Sequence, residues 1–231
     1  MTDECIDAIY KAGTQNYELL LIDNGSIPGY VADHINATLI RNEINLGFPK
    51  AINQGVKAAK GDIVVLLNND VIVTSGWTEK LIRALGPYSI VGPMTNYCAG
   101  LQRVTIPCYQ NEQELNEQAT KWEDEYAGEI QEVNWVIGFC MAFKKSLWDE
   151  VGPFDESLWP CSGEELIFCM DARKKGHRIG IVKDCYVHHY GSQTFKTMDV
   201  DYNAICKRND ANIAAKHGKD FWIKQAIEEG I

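Results

Sequence analysis

The sequence predicts an α/β protein, a mostly parallel sheet flanked by helices, with a polar helical tail at the C-terminus. Three observations point there. Short apolar runs of strand length, Glu18–Ile22 and Ile63–Leu67, alternate with stretches of helical periodicity. Polar residues, Asn68-Asn69-Asp70, stand at the carboxyl end of the most apolar run, where open α/β sheets bind their ligands. The chain has 231 residues, 45% of them apolar, which is enough for a sizeable core.

The elements follow in order. Thr2 or Asp3 caps a helix to about Ala12 that carries Cys5, Ile6, Ile9 and Tyr10 on one face. Glu18–Ile22 is a buried strand, and Asp23-Asn24-Gly25-Ser26 turns after it. Ala37–Ile40 is a weaker strand. Phe48–Lys60 is a helix, with Ala51, Ile52, Gly55, Val56 and Ala59 at helical spacing. The strand Ile63–Leu67, the apolar run Val71–Val73, a helix Trp77–Leu85 and a short strand Ile90-Val91 complete an alternation that implies a helix-covered sheet. Gln110–Gly128 is rich in Glu, Gln and Asn and reads as an exposed helix or loop. Val133–Phe143 is apolar around Gly138, a glycine that marks either close approach to a ligand or a bulge. Glu164–Lys175 is a helix, Ile179–Val182 and Cys185–His188 are strands, and the chain after Thr194 is polar and helical. The expected division is one domain over residues 1–195 and a helical extension over 196–231 packed on it.

Composition narrows the class. Thirty-two acidic against 22 basic residues give a net charge of −10, which argues against a nucleic-acid binder or a protein held to membranes by basic residues. An anionic nucleotide remains compatible, since local donors and a metal outweigh net charge. The eight cysteines are scattered and form no C-x-x-C, so they read as free thiols of a cytoplasmic protein. No run reaches membrane-spanning length, and no secretory signal opens the chain.

Asp70 is a hard oxygen donor suited to Mg²⁺ or Mn²⁺, and Asn68 adds a neutral oxygen. Asn-Asn-Asp is also ordinary turn chemistry. Two further polar clusters, Gly163-Glu164-Glu165 and His188-His189, lie beside apolar elements.

Asp23-Asn-Gly-Ser26, Asn45-Leu-Gly47, Asn53-x-Gly55, Gly61-Asp62 and Leu67-Asn-Asn-Asp70-Val71 resemble the front half of a family 2 inverting glycosyltransferase of the GT-A fold. The rhamnosyltransferase-like branch is most similar. Gly138-Phe-Cys-Met, Val151-Gly-Pro-Phe-Asp155-Glu156, Gly163-Glu-Glu and Val187-His-His-Tyr-Gly-Ser192 resemble the back half. The resemblance implies metal-dependent transfer of a sugar from a UDP- or TDP-linked donor to a glycan-type acceptor. In that pattern Asp70 holds Mn²⁺ or Mg²⁺, and His188 completes the site with His189 as the rival. Glu165 is the base that takes the acceptor's proton, and Glu164 supports it. The alternative is that both carboxylates simply favour a helix N-terminus.

The same resemblance puts Asp23, Asn24, Lys50, Asn53, Asn68, Asn69 and Gly138 around the donor. Trp135, Trp159 and Tyr190 are candidates for stacking on sugar rings, with core packing as the alternative for each. Two departures stand out. Ile167 and Asp171 occupy positions where the family carries an Asp and an Arg, which leaves a catalytically impaired nucleotide-sugar or glycan-binding relative as the second reading. The family's first strand, expected between Glu18–Ile22 and Ile63–Leu67, is not seen ahead of the first helix. The resemblance therefore predicts unpaired edges there and a homodimer as one outcome.

Overall fold

A computed structural model describes residues 1–31, 36–191 and 201–218. Helix α1 (Thr2–Lys11) buries Cys5, Ile6, Ala8 and Ile9, an i, i+3, i+4 stripe, and Tyr10 faces outward. Strands β1 (Leu20–Asn24) and β2 (Thr38–Asn42) pair in parallel as a small separate sheet, with Leu20 opposite Thr38. Helix α2 (Phe48–Ala58) starts at Gly47, whose φ of +87° suits glycine, and carries Pro49 in its first turn. It lies over β1, where Gly55 faces the Ile22 side chain.

The main sheet has the order β3 (Ile63–Leu67), β7 (Cys140–Lys144), β5 (Ile90–Thr95), β8 (Ile179–His189) and β4 (Val71–Val73). Strand β6 (Ile130–Val133) pairs with the first half of β8. The α/β class holds, and the ladders are mixed. β1–β2 and β5–β8 are parallel; β3–β7, β5–β7, β4–β8 and β6–β8 are antiparallel. The apolar stretch Val133–Phe143 resolves into the end of β6, a turn containing Gly138, and the start of β7. The two strands expected over 179–188 form one long strand, which bulges against β5 at residues 183–185, since Pro93 pairs with Val182 and the next residue, Met94, with Tyr186.

The core centres on β5, β7 and β8, with Ile90, Val91, Phe143, Ile181 and Val187 sealed from solvent. Each such side chain contributes roughly 1.5–3 kcal/mol by its burial. Helices α3 (Trp77–Ala84) and α4 (Glu112–Glu125) pack on β8. The polar stretch 110–128 is thus a helix that Asn111 caps by accepting from the Glu114 amide. It turns Leu115 and Ala119 inward, and the Trp122 indole donates to the Lys183 carbonyl at 2.6 Å. Helix α5 (Lys145–Val151), which periodicity did not reveal, follows β7 directly. Helix α6 (Glu164–Lys174) buries Leu166, Phe168 and Met170 as its pattern predicts. Helix α7 (Tyr202–His217) contributes Ile213 to a second apolar cluster with Leu158, Leu166, Ile167 and Met170.

Among the described residues no ladder joins β1 to β3. Their starts are held together by one side chain, as Glu18 Oε1 accepts from the amides of Lys60 (2.6 Å) and Gly61 (3.0 Å). Four of the five apolar residues of β3 remain partly exposed, unlike those of β5 and β7. No helix among the described residues is long and apolar enough to cross a membrane. Ser192 of the last motif and residues 196–200 and 219–231 of the expected extension lie outside the described residues.

Candidate functional site

Two strand ends bring the first half of the site together. The turn after β3 carries Asn68, Asn69 and Asp70, and β4 then pairs antiparallel with β8 so that Val71 lies opposite His189. The Tyr190 amide donates to the Asp70 carbonyl at 2.9 Å. Asp70 is 5% exposed, and its Oδ1 lies 3.2 Å from His189 Nε2.

His189 is held on every side. Its amide donates to Asn96 Oδ1 (2.8 Å), its carbonyl accepts from Asn96 Nδ2 (3.1 Å), and its ring stacks on Phe139 at 5.0 Å and 18°. Its Nδ1 lies 2.7 Å from the Tyr97 carbonyl oxygen. A carbonyl only accepts, so hydrogen bonding assigns the proton to Nδ1. In the neutral ring Nε2 then presents a lone pair toward the Asp70 carboxylate. Nε2 is buried without a hydrogen-bond partner. Two acceptors facing each other at this distance call for a cation or a proton between them.

His188 points the other way. Alternation along β8 sends its ring toward Tyr109, whose hydroxyl meets Nδ1, and toward Tyr190, which it meets edge-on at 4.5 Å. Burial, and then the neighbouring His189 ring, hold the His188 pKa below the ordinary value against the pull of Asp70. The expectation that His188 rather than His189 faces Asp70 is therefore corrected. It rested on which residue the motif aligned, whereas the β4–β8 register decides the face.

The second half is the acidic pair at the start of α6, which Gly163 caps in the left-handed region at φ +95°. Glu164 is buried, and the Oε2 atoms of Glu164 and Glu165 lie enclosed without hydrogen-bond partners. Burial, and then the neighbouring charge of Glu165, raise the Glu164 carboxyl well above the ordinary range. Burial also raises Glu165, and hydrogen bonds from its own amide and then from the Gly138 and Gly163 amides oppose it in part. Gly138 faces Glu165 closely: a Cβ on it would stand 3.6 Å from the Glu165 Cβ. The turn before β7 thus joins the two halves, since Gly138 backs Glu165 and the next residue, Phe139, backs His189. The Phe139 carbonyl also accepts from the Asn68 amide at 2.9 Å.

The other expected residues fall into distinct places. Asp23 is buried, and its carboxylate accepts from the amides of Ser26 (2.9 Å) and Tyr30 (2.9 Å) and from Arg41 (2.7 Å). Burial pushes the Asp23 carboxyl up, but these partners outweigh it and hold the group below its usual value. Asn24 bonds Asn42, Asn45 and the backbone of Leu46 and Gly47, and so anchors the turn ahead of α2. Asn53 reaches the loop after α5: Nδ2 donates to the Phe154 carbonyl (2.9 Å) and Glu156 (3.1 Å), and Oδ1 accepts from the Phe154 amide (2.9 Å). Lys50 is exposed, and Asn69 donates to Thr2.

Trp159 and Tyr190 are 45% and 44% exposed, whereas Trp135 packs against the second apolar cluster. Tyr97, Asn96 and Phe139, which set the ring of His189, were not singled out as site residues. Only Phe139 had a signal, its place next to Gly138 in the quoted motif.

The glycosyl transferase family 2 pattern matches residues 1–152. The glycosyltransferase GlyG of Streptococcus pneumoniae serotype 4 is 28% identical over 104 residues, 41% of this chain and 35% of GlyG, so the chain spans about a third of that relative. In fold the chain is similar to GalNAc-T7, solved with UDP, GalNAc and Mn²⁺ (TM-score 0.61, 18% identity, 80% of this chain and 39% of that one). It is also similar to TarS 1–349 of S. aureus with UDP-GlcNAc (0.55, 14%, 92% and 62%). The mannosyltransferase PcManGT from Pyrobaculum calidifontis, with GDP-Man and Mn²⁺, is a third neighbour (0.53, 16%, 93% and 71%). At identities this low the structural likeness shows the GT-A-like fold alone. The family pattern takes in well over half of the residues, and the chain belongs to glycosyl transferase family 2.

Proposed function

We propose that this domain transfers a sugar, with inversion, from a nucleotide-diphosphate donor to a hydroxyl of a glycan-type acceptor, with a divalent cation at Asp70 and His189. One observation carries the reading. The buried His189 Nε2 has no hydrogen-bond partner and faces the Asp70 carboxylate, and the turn that backs this pair, Gly138-Phe139, also backs Glu165. The residues fit Mn²⁺ or Mg²⁺. A carboxylate and an imidazole whose tautomer is set by a backbone carbonyl make a ligand pair with its supporting contact in place. Among the described residues no three His, Cys, Asp or Glu side chains converge. The remaining ligands would be phosphate oxygens and water, as is usual for Mg²⁺. Bound there, the cation would neutralise the diphosphate leaving group as a Lewis acid.

The chain's own residues supply the rest. Glu165 takes the proton of the acceptor hydroxyl as it attacks the anomeric carbon. Its raised pKa makes it a stronger base than an ordinary carboxylate. Asn68 and Asn69 offer polar contacts beside the phosphates. Asp23 would meet the base only by exchanging partners with the loop at Ser26 and Tyr30. Trp159 and Tyr190 are exposed enough to stack on a sugar ring, which Trp135 is not.

The rhamnosyltransferase-like placement rests on Leu67–Val71. The unjoined edges of β1 and β3 support a further strand or a second chain between them. A binding relative without turnover is favoured by one observation: Ile167 is buried in the second cluster and puts no polar group toward an acceptor. The decisive experiment measures UDP, TDP and GDP affinity with and without Mn²⁺, then Mn²⁺-dependent donor hydrolysis. Mn²⁺-enhanced binding that Asp70→Ala abolishes is expected. Equal affinity with and without metal in the wild type overturns the assignment.

A further inference from the structure

The acidic pair lies beyond the residues that the family pattern matches, and the loop ahead of it, residues 157–163, is held by α7. One face of that helix does the holding. Asn209 is fully buried, and the two N–H groups of its amide are shared among three backbone carbonyls, Leu158 (3.0 Å), Cys161 (2.7 Å) and Ser162 (3.2 Å). Its oxygen is occupied by the Arg208 guanidinium (3.2 and 3.0 Å), which also donates to the Trp159 carbonyl. One turn on, Ile213 packs against Leu158 and over Gly163, where an added Cβ would stand 2.5 Å from the Ile213 Cδ1. Next, Lys216 pairs with Asp155 and donates to Ser157.

The loop needs this grip. Ser162 and Gly163 stand in succession at φ +92° and +95°. A non-glycine residue there is strained and persists only where its surroundings over-determine it. The carbonyl of that strained residue is one of the three that Asn209 holds. The residue after Gly163 is Glu164, and the carboxylate of Glu165 lies against Gly138. A change in the Ser162–Gly163 backbone therefore rotates both carboxyl groups, while Asp70 and His189 are fixed by a different set of contacts.

We propose that Asn209 is a positioning residue: by gathering the carbonyls of Leu158, Cys161 and Ser162 it sets the backbone from which Glu164 and Glu165 enter the site. Its catalytic consequence rests on Glu165 being the base, as proposed above, but its structural consequence does not.

The test compares Asn209→Ala with Ile213→Ala, which removes packing from the same helix face but leaves the three hydrogen bonds. Asn209→Ser keeps a single donor and serves if the alanine variant folds poorly. In Asn209→Ala, amide exchange over residues 161–166 rises by about tenfold or more, the worth of one lost buried hydrogen bond. The titration of ¹³C-labelled Glu164 and Glu165 carboxyls moves toward ordinary values, and Mn²⁺-dependent UDP affinity is unchanged. Where the wild type turns over UDP-GlcNAc, kcat falls and the donor KM holds. In Ile213→Ala, at matched loss of Tm, the carboxyl titrations stay in place. Unaltered exchange over 161–166, or equal titration changes in both variants, overturns the proposal. A wild type without turnover whose exchange and titration respond as described would count against the transferase reading and leave the positioning role supported.

Discussion

Asn53→Ala separates a structural clasp from a donor contact. The side chain is buried, and all three of its hydrogen bonds go to the loop after α5. Two of them satisfy the amide and the carbonyl of Phe154, a residue 1% exposed whose ring packs on Phe143 and Phe168. Truncation leaves both backbone groups buried and unpaired. Each unsatisfied group costs roughly 1–3 kcal/mol, so the loss is about 2–4 kcal/mol after partial relaxation. For a domain of this size 1 kcal/mol moves Tm by about 2–4 °C, which puts the expected drop at roughly 4–16 °C. The assay is a thermal or urea unfolding curve, paired with UDP titration in Mn²⁺ at a temperature where the variant is folded. Lys50→Ala, on the exposed side of the same helix, should stay within about 0.5 kcal/mol of wild type and serves as control. The expected result is a large stability loss with UDP affinity retained. A variant of wild-type Tm that has lost UDP affinity would show that Asn53 meets the nucleotide and that its loop contacts are incidental.

The remaining predictions concern the site and the sheet. His189→Ala should remove the gain in UDP affinity that Mn²⁺ gives, as should Asp70→Ala, whereas His188→Ala should keep it; calorimetric titration decides, and loss in His188→Ala alone would reverse the assignment. Glu165→Gln should retain donor binding and lose transfer by about 10²–10⁴-fold, read as initial rates; an unchanged rate would move the base elsewhere. Because burial raises the Glu164 carboxyl in the folded state above its ordinary 4.5, stability from this group is present below that value and is lost as pH rises through the folded pKa. Glu164→Gln should therefore be more stable than wild type at pH 8, with the advantage gone near pH 4; a Tm difference that does not vary with pH would refute the burial argument. An apolar strand fused ahead of Met1 should raise Tm and donor affinity together if it pairs with the edges of β1 and β3 that no ladder joins among the described residues; light scattering of the unfused chain tests the alternative, pairing of two copies through that edge.

The sequence by itself determined where the polar clusters stand and their order along the chain. The run Ile63–Leu67 ending in Asp70, the helix Phe48–Lys60 and the carboxylates opening the helix at Glu164 were legible because each follows from local pattern: apolar periodicity, a glycine before a proline, acidic residues at a helix start. What depends on pairing between distant segments was not legible. Neighbouring residues on a strand face opposite sides, so the choice of His189 over His188 hangs on the register between Val71–Val73 and the end of β8, set by contacts more than 100 residues apart. The polar stretch 110–128 became a packed helix because β8 offered Leu115 and Ala119 a surface. Asn53, Asn24 and Asn209 carry side chains that suit a ligand or a loop equally well in sequence; only the tertiary structure, by bringing particular buried carbonyls and amides within reach, decided which they hold.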